Sequence, residues 1–345
     1  MNLKELSTIL NLSQTTVSRA LNGYPEVSEA TRERVGRAAK EHNYTPNTRA
    51  RSLATGRTHV VGHVIPRSTK HEVVNPVFTD FIAGASEIYS REGYDMHLAI
   101  VPDTHEESAY RKFAATEAVD GVIVHGPVEN DQRIKLLQSM NMPFVVHGRS
   151  NADLEQDYAW VDVNNKRAFE RATKFLIDLG HQRIGLLNGI ESMDFAMRRR
   201  AGYQSALDAA GITANPNFCY SDEMTEDYGY TATMEVLALP SAPTALLVSS
   251  IIVGIGVRRA CSEMGLTLGK EVSLIIHDDE LSYFQNGRTE PVYTATRSSV
   301  RTAGTICAEL LIEQINHPEK PLRHVLLEAE LIIGHTTGPA PRSAN

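Results

Sequence analysis

"LSQTTVSRALNGYPEVSEATRERV", Leu12 to Val35, holds two helix-length runs, each preceded by a serine, Ser13 and Ser28. Val17, Ala20 and Leu21 recur on one side of the first run; Val35, Ala38 and Ala39 do so on the second, which extends to about His42. "GYPEVS" between them reads as a loop. Upstream, Asn2 and Glu5 have the spacing of a capping box, and Leu3, Leu6, Ile9 and Leu10 follow at helical intervals. Asn11 tolerates the left-handed turn that ends this helix, and Ser13 caps the next. Three short helices are therefore expected to share one small core.

Two helices joined by a tight turn, the second with Gln, Thr, Ser and Arg on its outer side, describe a helix-turn-helix. Near the start of that second helix, Gln14, Thr15 and Arg19 supply the amide, hydroxyl and guanidinium groups that read base edges in a major groove. Ser18, Asn22, Ser28 and Thr31 are suited to phosphate oxygens, which set register but not sequence. By pattern alone the same residues could form a polar solvent face. Charge points to a polyanion: nine basic against five acidic residues leave the first 58 residues at +4, so the other residues carry −12 of the net −8.

The totals bound the rest. A chain of 345 residues, 42% hydrophobic and 22% charged, suggests two or three domains at roughly 100 to 200 residues each. No apolar run has membrane-spanning length, and "MNLKELSTIL" lacks the features of a secretory signal, so a cytoplasmic protein without membrane contact is expected. Cys219, Cys261 and Cys307 are odd in number and widely spaced, which suits free thiols in a reducing compartment.

"YTPNTRARSLATGRT", Tyr44 to Thr58, comes next. Pro46 and Asn47 suit a helix start and Gly56 an end, but the span is shorter than the ~12 to 15 residues an isolated helix needs in water. Together, the two quoted stretches closely resemble the head of the lactose-repressor (LacI/GalR) family of bacterial regulators. The resemblance implies that the second helix enters the major groove and that residues 46–58 form a hinge helix used in the minor groove. Asn47 would then meet phosphate, Ala50 would approach base edges or the partner's hinge, and Leu53 would wedge between base pairs. Where the family usually has Ala-Gly at the turn, this chain has Leu10 and Asn11.

From His59 onward, apolar runs such as "HVVGHVIP", "GVIVHG", "RIGLLNG", "VSLIIHDD" and "HVLLEAELIIG" alternate with amphipathic stretches. Such runs fit parallel sheets covered on both faces, a doubly wound α/β body with a cleft beyond the carboxyl ends of the strands. The pattern starts twice, at His59 and near Asn164, as two lobes would. The family resemblance continues through "WVDVNN", "RRRAGYQSAL" and "HDDE" and implies a two-lobed, periplasmic-binding-protein-like effector domain over 59–345 behind an all-α head over 1–45. Lobe one is expected near 59–162 plus 291–322 and lobe two near 163–290 plus 323–338. The tail "HTTGPAPRSAN" carries no leucine heptads, so a homodimer is expected, with two heads on a palindromic operator.

The resemblance also assigns effector contacts to Arg199 in "RRRAGY" and Asp278 in "IIHDDE", and places Ser250 where an asparagine often touches ligand. Met224 falls near a position that is often aromatic. His147, after "FVV", suits hydrogen bonding to ligand hydroxyls; Asn75 and Phe78 are expected at the cleft, although Asn75 before Pro76 also suits a helix cap. His63, His125 and His277 lie in or after other strands without metal-ligand spacing, so neither metal nor cofactor is expected. The resulting expectation is a repressor of carbohydrate-utilisation genes, controlled by a small sugar effector, with a likeness to α-glucoside-type regulators. A sugar receptor without a transcription role would lack the basic head. An enzyme would need a nucleophile elbow, phosphate loop or metal motif, and none is found.

Overall fold

Asn2 starts the first helix as its spacing predicts: its side chain accepts the Glu5 amide at 3.0 Å, and the Glu5 carboxylate accepts the Asn2 amide at 2.9 Å. The computed structural model describes residues 1–21, 23–44, 56–66, 75–150 and 157–341. They fall into two compact units, Met1–His59 and Val60–Asn345. The first contains α1 (Leu3–Leu10), α2 (Gln14–Leu21) and α3 (Glu29–Glu41). Asn11 takes the left-handed conformation at φ 51°, Ser13 Oγ accepts the Thr16 amide, and Ser28 caps α3. Leu6, Leu10, Val17, Val27, Val35, Ala38 and Ala39 form the core. Ile9, expected inward, is 53% exposed. On so short a helix only the stripe of Leu3, Leu6 and Leu10 reaches the other two helices, and Ile9 lies well round from it.

In the second unit the strands, in chain order, are β1 (Val60–Pro66), β2 (Asp95–Val101), β3 (Gly121–His125), β4 (Phe144–His147), β5 (Ala159–Val163), β6 (Ile184–Asn188), β7 (Cys219–Ser221), β8 (Ala245–Val248), β9 (Ser273–Asp278), β10 (Thr294–Arg297), β11 (His324–Leu327) and β12 (Glu330–Ile332). The helices are α4 (Pro76–Glu92), α5 (Glu106–Ala115), α6 (Gln132–Ser139), α7 (Asn165–Asp178), α8 (Asp194–Ala209), α9 (Glu226–Leu237), α10 (Ile251–Glu263) and α11 (Val300–Asn316). Two sheets result, ordered β11-β5-β4-β3-β1-β2 and β12-β10-β9-β8-β6-β7. All described pairings are parallel except β10 with β12.

Alternation along each strand feeds a core on either side of its sheet. Ile123 and Val145 pack with α4 and α11, whereas Val122, Val124 and Val146 pack with α5 and α6. In the second sheet Leu186, Leu247 and Ile275 meet residues of α7 and α8, while Leu187, Leu246 and Ile276 meet those of α9 and α10. The chain changes sheet after β5, after β10 and after β11. The crossings expected near 291 and 323 are thus displaced: β10 pairs with β9 in the second sheet, and β11 with β5 in the first. "HVLLEAELIIG" reads as one strand but forms two, in different sheets, divided at Glu328 and Ala329. No described helix is long and apolar enough to cross a membrane, and the three cysteines are free thiols.

Candidate functional site

In the first unit, Gln14, Thr15 and Arg19 are exposed on the side of α2 opposite buried Val17 and Ala20, and Ser18 is half-buried beside them. This puts amide, hydroxyl and guanidinium groups on one outward stripe. Ser28 and Thr31 sit together at the start of α3, their hydroxyls 2.9 Å apart, where free amides favour an anion. Arg34 donates to the Leu10 carbonyl and so ties α3 to the end of α1. Asn22, Asn47, Ala50 and Leu53 lie outside the described residues.

In the second unit, a cleft of about 1290 Å³ opens beyond the carboxyl ends of β3, β4, β5, β8 and β9. Arg199 of α8 is buried in its wall. Its Nε donates to Asn165 Oδ1 at 2.8 Å and its Nη1 to the Ser249 carbonyl at 2.6 Å. The rings of Phe169 and Phe195 lie 5.1 and 5.0 Å from the guanidinium carbon. Burial pushes the guanidinium down to about 10, against the pull of Asp279 and Asp162. Among the described residues, Nη2 makes no hydrogen bond within the protein and remains to grip a ligand.

Asp279 also lines the cleft. Burial disfavours its charge, but His277, Arg199 and His147 outweigh burial and hold the carboxyl below its usual range. His277 Nε2 lies 3.4 Å from Asp279 Oδ1, and its Nδ1 is 2.9 Å from the Thr296 hydroxyl. Asp278, the expected effector contact, is absent from the cleft lining, and its carboxylate accepts the Glu280 amide at 2.9 Å. Side-chain alternation explains this correction: His277 and Asp279 share the α7–α8 side of β9, and Asp278 faces the other way.

The remaining expected residues border the cleft. Ser250 and Asn75 do so while capping α10 and α4, their side chains accepting the Ile252 and Val77 amides at 3.1 and 3.0 Å. Phe78 meets the His125 ring edge-on at 5.2 Å, and the His147 ring lies 4.5 Å from that of Phe81. Burial lowers His147 to about 4, so it enters the cleft neutral. Met224 lies beside Gly189, across from these aromatic groups in the wall of the same cleft. Asn165, Asp162, Phe195, Ser249 and Asp279 were missed. Asn165 and Asp162 flank the first crossing between lobes, and Asp279 could have been found from its spacing of two from His277. Asp162 is bound to Arg149 at 2.8 Å, so its carboxylate is already engaged.

The lobes also touch directly. Val128 forms a bridge with Met193, and the Asp194 amide donates to the Pro127 carbonyl at 3.0 Å. Asp80 of α4 accepts the amide of Ser282, which follows β9 of the second sheet, at 2.8 Å.

Comparison with known proteins agrees with both units. The sequence profile of the bacterial regulatory proteins of the lacI family matches residues 2–47, and that of the periplasmic binding protein-like domain matches 173–337. The chain is 42% identical over 347 residues to the HTH-type transcriptional regulator AglR of Rhizobium meliloti, covering 99% of this chain and 95% of that one. It is 35% identical over 280 residues to RafR of Escherichia coli, covering 81% and 82%. Among solved structures, the transcriptional regulator CelR–cellobiose complex matches with a TM-score of 0.72 at 27% identity, over 97% of this chain and 99% of that one. The lac repressor dimer bound to operator and the anti-inducer ONPF shares the fold at a TM-score of 0.81 and 23% identity, over 98% and 99%. The chain, with its helix-turn-helix head and two-lobed cleft, belongs to the lacI family of bacterial regulatory proteins.

Proposed function

We propose that this regulator represses carbohydrate-utilisation genes as a homodimer on a palindromic operator, and that a small sugar of the α-glucoside class in the cleft sets its operator affinity. The observation that carries the effector reading is Arg199, which leaves Nη2 open within reach of aromatic rings and the Asp279 carboxylate. A planar cation, an opposing carboxylate and apolar ring faces suit paired hydroxyls on a pyranose. The 42% identity to AglR supports the α-glucoside class. Asp278 and Asp279 face opposite sides of β9, so they do not form a catalytic carboxylate pair in the cleft.

Gln14, Thr15 and Arg19 read bases; Ser18, Asn22, Ser28, Thr31 and Asn47 hold phosphates; Ala50 and Leu53 enter the minor groove. Edge strand β2 exposes Met96, Leu98 and Ile100 at alternate positions, an apolar stripe for a second copy to cover. Since its target is the chromosome, the protein acts in the cytoplasm. Selection from a random DNA pool tests the regulator reading. The full chain should enrich a palindrome, and a chain lacking the first 58 residues should enrich nothing while still binding sugar. A pool without any enriched palindrome would contradict it.

A further inference from the structure

Three linked side chains run from the interior of α4 to the cleft. The Tyr89 hydroxyl lies 3.0 Å from His63 Nε2, and His63 Nδ1 lies 3.0 Å from His125 Nε2. Tyr89 and His63 are buried and do not line the cleft, whereas His125 does. The His125 ring stacks on His63 at 5.3 Å and is met edge-on by Phe78 and Phe81 at 5.2 and 4.8 Å, so its orientation is held from three sides. Strand alternation gathers these groups: His63, His125 and His147 all project on the α4 side of the first sheet, and His125 pairs directly with His147 in the ladder.

We propose that Tyr89 and His63 are positioning residues that lock His125 as its Nδ1–H tautomer, so that the cleft presents a hydrogen-bond donor there and admits effectors with an acceptor-only oxygen at that position, which the other tautomer would repel. The nature of the ligand rests on the sugar reading above; the tautomer does not.

Each link in the chain holds one proton, and a neutral imidazole carries one N–H. In one arrangement Tyr89 donates to His63 Nε2, His63 donates from Nδ1 to His125 Nε2, and His125 keeps its proton on Nδ1. In the reverse arrangement His125 donates from Nε2 to His63, His63 donates to the phenol oxygen, and the Tyr89 proton needs another acceptor. Among the described residues the Tyr89 hydroxyl makes no second hydrogen bond, and its neighbour Cys307 is a weak acceptor. A buried donor left unmet is penalised more than an unfilled lone pair, so the first arrangement prevails.

Both rings are neutral. Burial takes His63 down to about 3, and burial together with His63, His147 and Arg133 holds His125 well below its usual range. A sugar hydroxyl can turn to suit either tautomer. A ring or glycosidic oxygen can only accept, so it needs the fixed N–H at that position.

The test uses full-length protein carrying nitrogen-labelled histidine, with no ligand, and long-range proton–nitrogen correlation spectra. His125 should show a protonated Nδ1 and an accepting Nε2. Tyr89→Phe and His63→Gln should each move it toward the Nε2–H form that unconstrained imidazoles favour. A wild-type His125 protonated on Nε2, or a tautomer unmoved in both variants, overturns the proposal. Because the spectra need no ligand, failure of maltose, sucrose and trehalose to bind the wild type would count against the sugar reading alone. For whichever of these sugars binds, Tyr89→Phe should raise Kd about tenfold; an unchanged Kd overturns the claim that the fixed tautomer admits the effector.

Discussion

A guanidinium shut between aromatic rings persists only where its N–H groups are met, and Arg199 meets Asn165 and Ser249 while keeping Nη2 for a ligand. Asp279 offers the complementary acceptor in the same wall. Asp279→Asn should therefore weaken sugar binding by roughly ten- to a hundredfold, about 1.5 to 3 kcal/mol for hydrogen bonds to a charged group, measured by calorimetry. Asp278→Asn should leave Kd nearly unchanged, and the opposite ranking would return the contact to Asp278. His63 makes a separate prediction about stability. Burial holds its imidazole neutral down to about pH 3, whereas the unfolded chain takes up that proton near 6.5. Between those values the unfolded state binds the extra proton, so this ring's contribution is full above 6.5 and is lost as pH falls, by about 1.4 kcal/mol per pH unit. Urea melts at pH 7.5 and 5.5 should show a loss in the wild type that exceeds the loss in His63→Gln by about that amount; equal losses would contradict the assignment.

Helices α4 and α11 approach so closely that a Cβ on Gly84 would lie 2.0 Å from the Arg301 carbonyl oxygen, and one on Gly304 would lie 2.1 Å from that of Phe81. Since α4 and its cap bring Asn75, Phe78 and Phe81 to the cleft, its seating on α11 sets the cleft wall. Gly304→Ala should lower stability by about 1 to 3 kcal/mol and weaken sugar binding with it. Gly36→Ala in α3, where a Cβ meets nothing within 4 Å, should be neutral or stabilising in the same denaturation assay. At this scale, reading depended on how strongly each element was patterned. The capping box at Asn2 and the apolar periods of α1 to α3 were explicit, as were the long apolar strands. β7 is only three residues long, and β10, "TATR", is polar yet buried because its threonines pair with His277, Thr337 and the Gly334 carbonyl. Such strands are invisible to hydrophobicity, and so were the true crossing points. Asn75, Phe78, His147, Arg199, Met224 and Ser250, named from strand ends and a family likeness, border the cleft, but they are a minority of its lining. Asp279 was missed because choosing between adjacent carboxylates requires knowing which face of β9 each takes.

Across the whole molecule, the cleft draws its lining from both lobes, with Asn75, Phe78 and His147 from one and Arg199, Ser250 and Asp279 from the other. A ligand that contacts both lobes favours the arrangement in which those contacts coexist, and any arrangement that differs in operator affinity is thereby linked to it. The linkage is reciprocal: if sugar changes operator affinity, operator must change sugar affinity by the same factor. Shared contacts also mean that loss of Arg199 should uncouple the two sites without removing the head's ability to bind DNA. The direct test is to titrate maltose, sucrose and trehalose into the complex of the full-length protein with its selected operator, following fluorescence anisotropy at fixed salt. At least one sugar should change operator Kd by tenfold or more, a coupling of about 1.4 kcal/mol, and Arg199→Ala should keep operator binding but lose that response. Operator affinity that ignores every sugar, or an Arg199→Ala protein that still responds fully, would contradict the account.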